Sequence, residues 1–143
     1  MRVVRAERFG GPEVLVASEV VDPVAGPEQV VVAVAAADVL FLDTQLRGGW
    51  GRDFFAIEPP YVPGNGVAGQ VIVGGDGIDP GWVGCQVVAR TGGCGGYAEQ
   101  VVAPANGLVP VPDGLDVREA AALMHDGPTA LGLADGAQIR PGE

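Results

Sequence analysis

The sequence predicts a mainly β fold, a barrel or sandwich of short strands, and three observations point to it. Gly and Pro are abundant, at 24 and 12 residues in a chain of 143. Such a supply of turn residues suits many short elements better than long helices. Apolar runs of strand length recur between those turns, about seven of them. Helical patterning is confined to one short segment and to the last thirty or so residues.

Taken in order, "RVVRAE" and "EVLVASEVV" read as two strands joined by the turn "FGGPE". "EQVVVAVAAA" is a third strand, so uniformly apolar that it should be buried on both faces. In "DVLFLDTQLRGG", Asp38 can cap a short helix that sets Val39, Leu42 and Leu46 on one face and ends at Gly48. The aperiodic "WGRDFFAIEPPYVPG" follows as a long loop, a common carrier of function. "GVAGQVIVGG", "GCQVVAR", "GGYAEQVVAP" and "LVPVP" continue the β pattern. Asp116 with Glu119 three residues later marks a helix start, and Pro128 in "GPTALGLADG" marks a second helix. "AQIRPGE" reads as a turn.

Composition removes several functions. The net charge is −10 and all eight cations are arginines, so a basic nucleic-acid surface is not expected. The lack of lysine removes Schiff-base and P-loop chemistry from this segment. Ser18, the sole serine, has no nucleophile elbow. No glycine fingerprint joins a strand to a helix. Cys85, Cys94 and the lone His125 make three of the four ligands that a structural zinc needs. No apolar stretch is long enough to span a membrane, no signal-peptide core opens the chain, and a cytoplasmic location is the expectation.

Five stretches then occur in a telling order: "FGGPEVL", "AAADVLFLDTQLRGG", "PYVPGNGVAG", "GGYAEQVVAPANGLVPVPDGLDVREAAAL" and "GPTALGL…IRPGE". Together they resemble the N-terminal GroES-like domain of the medium-chain dehydrogenase/reductase superfamily, in its zinc-independent quinone oxidoreductase branch. The resemblance covers essentially the whole chain. It implies a partly open β-barrel with a short internal helix and two C-terminal helices leading toward a Rossmann domain absent from this sequence. Residues 1–125 would form the GroES-like catalytic domain and 126–143 the linker. The implied activity is zinc-free, NADPH-dependent hydride transfer to a quinone or enone, with the isolated domain inactive and dimers forming only in the full-length protein. A non-catalytic GroES-like binding or assembly module is the alternative.

The resemblance also nominates residues. Zinc-dependent members carry Gly-His-Glu where this chain has Gly64-Asn65-Gly66, and a Cys ligand where it reads "AAADVLF". An amide is a poor zinc ligand, so no metal is expected. Asp43 and Thr44 match the family's Asp-Thr on the small helix, on the cofactor side, and Thr129 in "GPTAL" matches a Thr near the cofactor; the alternatives are a solvated or locally hydrogen-bonded Asp43 and a Thr129 bonded to helix backbone. Leu40 stands where the family tends to have Asn, and Gln45 where it has Tyr. Asn65 either adopts a left-handed backbone and satisfies local amides or faces the cleft as donor and acceptor. Trp50 and Phe54 either wall a flat substrate or cover the core. His125 is expected at a helix C-terminus, with a structural role as the main reading and reach into the interdomain cleft as the alternative. Tyr97 is expected to pack through its ring.

Overall fold

A computed structural model describes residues 1–138, so the "IRPGE" stretch lies outside the described residues. Seven strands form: β1 (Arg2–Ala6), β2 (Leu15–Glu19), β3 (Gln29–Asp38), β4 (Gly66–Gly74), β5 (Gln86–Arg90), β6 (Gln100–Pro104) and β7 (Val109–Pro110). The helices are α1 (Phe41–Arg47) and α2 (Val117–Ala137). β1 and β2 make a two-stranded sheet, and a second sheet has the order β6-β3-β4-β5-β7. Every pairing is antiparallel. The sheets remain open, as a partly open barrel requires. Single bridges from Val3 to Ala98 and from Ala6 to Tyr61 tie the small sheet to the loops flanking the large one.

The core explains the valines. Val30, Val32, Val67, Val71, Val87 and Val101 pack together from four strands of the large sheet. In β3 the consecutive residues Val30, Val31 and Val32 are all buried, so both faces of that strand are covered. β-branched side chains suit this pleated, enclosed setting. Ala120 and Ala121 bury the first half of α2 against the sheet, and the Asp116 carboxylate caps that helix by accepting from Arg118 N–H at 2.8 Å.

Three local expectations are corrected. The two C-terminal helices are one continuous α2 with Pro128 inside it. Proline fits the first turn of a helix because its φ is already helical, and the same φ fits the interior. In the interior it also removes the donor to the Met124 carbonyl and crowds that carbonyl with its ring, and the turns on either side hold. Consequently His125 sits mid-helix, not at a C-terminus. Asp38 does not cap α1, because β3 extends through it. Instead Asp43, inside the first turn, accepts from Leu40 N–H at 3.0 Å.

Candidate functional site

The loop before β4 is held by two glycines with different tasks. Gly64 takes the left-handed conformation, with φ +89, and a Cβ there would lie 2.5 Å from Tyr97 Cδ1. Asn65 itself is not left-handed, which corrects that expectation. At Gly66 a Cβ would meet His125 Cε1 at 2.8 Å and Met124 Sδ at 2.9 Å. The absent side chain is what lets α2 close onto the start of β4.

Asn65 does satisfy a neighbouring amide. Its Oδ1 accepts from Gly93 N–H at 2.8 Å, and its backbone carbonyl accepts from Thr91 N–H at 2.9 Å. Since a backbone N–H can only donate, this bond fixes which end of the Asn65 amide is oxygen. Its NH₂ group has no protein partner among the described residues and is available to a ligand.

Asp43 is 7% exposed, the buried acid of α1. Its Oδ2 accepts from Leu40 N–H and from the Tyr97 hydroxyl, the latter at 2.9 Å. Burial, and then the Asp43 carboxylate, push the Tyr97 phenol well above its ordinary range. Asp43 therefore fixes the start of α1 and ties it to the turn before β6. Tyr97 does more than pack.

A further pair crosses from β3 to α2. Asp38 Oδ2 and His125 Nδ1 lie 2.6 Å apart, with the side chains 10% and 18% exposed. An anionic Asp38 can only accept, so Nδ1 carries the proton and Nε2 is the free nitrogen of the ring. Sequence offers no signal for this contact, since the partners are 87 residues apart.

These groups border one cleft of about 460 Å³. Leu40, Leu42, Leu46, Phe54, Phe55 and Ile57 supply its apolar wall. Asn65, Asp43, His125, Cys94 and the Gly92–Gly93 backbone supply its polar rim. Of the residues nominated by sequence, Leu40, Asp43, Phe54 and Asn65 meet here. Thr44 lies beside it, lining a smaller 90 Å³ cavity with Asp43 and Tyr97, and its hydroxyl donates to the Phe41 carbonyl at 2.7 Å. Thr129 is exposed on α2 one turn beyond His125, donating to the His125 carbonyl at 2.7 Å. Gln45 and Trp50 do not line the cleft. Trp50 leans on Phe55 at 6.3 Å between ring centroids. Among the described residues no three His, Cys, Asp or Glu side chains converge as a metal site would need.

Residues 26–113 match the family described as the alcohol dehydrogenase GroES-like domain. The chain is 38% identical to a quinone oxidoreductase of Rattus norvegicus, over all of this chain and 44% of that protein. It is 35% identical to a 2-haloacrylate reductase of Burkholderia sp., over 94% of this chain and 41% of that one. Among solved structures, a probable oxidoreductase from Mycobacterium abscessus superposes with a TM-score of 0.88 at 38% identity, over 100% of this chain and 45% of its own. Escherichia coli quinone oxidoreductase complexed with NADPH superposes with a TM-score of 0.88 at 26% identity, over 100% of this chain and 43% of its own. The chain thus spans less than half the length of these relatives.

Proposed function

This chain belongs to the alcohol dehydrogenase GroES-like domain family, on its quinone oxidoreductase-like branch, and from that premise we propose that it is the substrate-side half of an NADPH-dependent oxidoreductase. The carrying observation is the cleft that joins a leucine and phenylalanine wall to the single free amide of Asn65. Flat, apolar acceptors that present a carbonyl oxygen match that lining: quinones or enones. The nucleotide would be held mainly by a Rossmann domain C-terminal to residues 126–143, which would form the linker. Full-length protein is then where dimers would form, and the cytoplasm is where it would work.

The residues present fit a nicotinamide ring better than a zinc ion. Leu40 has no ligand atom, and Asn65 Oδ1 is committed to Gly93 N–H. Asn65 NH₂ can instead donate to a carbonyl oxygen, of substrate or of carboxamide, while the Asp43–Tyr97 bond holds α1 against the rim. Thr44 and Thr129 flank the rim and would lie on the cofactor side, with Gln45 and Trp50 adjusting the outer edge. When bound, the dihydronicotinamide supplies the hydride. The chain's own part is to align the acceptor and exclude water.

The test compares residues 1–143 with the full-length protein. Full-length protein is expected to bind NADPH and oxidise it with a quinone or enone, and the 143-residue segment to do neither. Submicromolar NADPH binding by the segment alone would refute the two-domain reading.

A further inference from the structure

We propose that His125, oriented by Asp38, is the proton donor for enone reduction in this cleft. The inference rests on the proposed function and adds the residue that completes the reaction. Three observations converge on the imidazole. Nδ1 is anchored 2.6 Å from Asp38 Oδ2, so the ring has one orientation and a carboxylate to balance its charged form. The ring lines the same cleft as Asn65 and Leu40. Nε2 has no protein partner among the described residues, whereas every other polar group on the rim that can hold a labile proton is already engaged or is a thiol. Tyr97, which does not line the cleft, donates its hydroxyl hydrogen bond to Asp43, and Cys94 is the thiol. Gly66 supplies the room, since any Cβ there would press on Cε1. Asp38 from β3 is bonded to the ring, Asp43 of α1 lines the same cleft, and Asp126 follows His125 along α2.

The step balances as follows. A hydride from the dihydronicotinamide adds to the β-carbon of the enone, forming a C–H bond. The electron pair of the C=C bond moves through the conjugated system onto the carbonyl oxygen. In the imidazolium, with Nδ1–H held by Asp38, the Nε2–H bond breaks as the O–H bond forms, leaving the neutral Nδ1–H ring and the enol, which becomes the saturated ketone. Solvent reprotonates the imidazole, and the cofactor leaves oxidised. A quinone differs because its product is a hydroquinone anion, a weak base that water protonates. The donor therefore matters for enones and little for quinones.

The experiment uses the full-length protein with His125→Gln and Asp38→Asn. The first readout is the ratio of enone to quinone turnover. General acids contribute about 100-fold or more, so the ratio is expected to fall about 100-fold in His125→Gln and less in Asp38→Asn, where an amide can still accept from Nδ1–H but carries no charge. The second readout is binding of 4-nitrophenolate, an oxyanion mimic, expected to weaken about tenfold in His125→Gln from loss of a charge-assisted hydrogen bond. Parallel loss of both turnovers, or an unchanged ratio, would overturn the proposal, as would unchanged phenolate binding. If His125→Gln does not fold, Asp38→Asn decides by the same ratio. Wild-type protein that oxidises NADPH with neither acceptor would instead refute the proposed function itself.

Discussion

At the scale of single residues, the site depends on groups chosen for what they leave out as much as for what they offer. Gly66 is the clearest case. Replacing it with Ala puts a methyl 2.8 Å from His125 Cε1 and 2.9 Å from Met124 Sδ, so the imidazole held by Asp38 and the thioether must shift. Overpacking of this kind costs about 1–3 kcal/mol, and chemical denaturation of Gly66→Ala should show a loss in that range. Tyr97 yields a pH signature. Its folded pKa lies above the ordinary value of 10.0, through burial first and Asp43 second. A raised acid stabilises fully below its unfolded pKa and ceases to as pH climbs toward the folded one. Unfolding free energy should therefore fall above about pH 10, and Tyr97→Phe should flatten that decline. Tyr61, also raised by burial, will retain part of it. The Tyr61 hydroxyl is buried without a partner among the described residues, so Tyr61→Phe should leave stability unchanged or higher by about 1 kcal/mol.

At the scale of elements, the strands were legible because two local signals agreed. Valine-rich runs alternate or fill both faces, and Gly or Pro stands between them. The helices were harder to read. Asp38 looked like a cap because caps are usually short acids before an apolar face, yet the β3–β4 ladder outlasts that local preference and pairs Asp38 with Gly66. Pro128 looked like a helix start because nothing local distinguishes an N-terminal proline from one whose lost bond is tolerated. The cleft was half legible. Asn65, Asp43, Leu40 and Phe54 could be nominated from motif positions, but the Asp38–His125 contact spans two elements and leaves no spacing pattern. α2 allows a direct measurement. Gly132 and Gly136 are helical, and a Cβ at either meets open space. Gly to Ala in a helix interior is worth roughly 0.5–1 kcal/mol. Gly132→Ala and Gly136→Ala should each raise the unfolding midpoint and the helical circular dichroism signal, and Asp116→Ala should lower both through the lost cap.

At the scale of the whole molecule, the distribution of apolar surface bears on the two-domain reading. The first half of α2 is anchored on the sheet by Ala120 and Ala121, while its second half carries Leu131 and Leu133 at 68% and 69% exposure. Phe54, at the rim of the cleft, is 85% exposed. Large apolar side chains left exposed on the outer half of α2 and at the cleft rim leave surface for another body to cover. Under the proposed function that body is the nucleotide-binding half of the same polypeptide. Residues 1–143 alone should then bind an anilinonaphthalene dye with a fluorescence increase, and the full-length protein should not. Backbone amides of residues 127–137 should exchange with solvent within minutes in the short segment and become protected in the full-length protein, since helix turns without tertiary packing are only marginally stable. Equal dye binding and equal exchange in the two proteins would mean that nothing covers this surface. The cleft would then have no second wall, and the GroES-like domain would act as a binding module in its own right.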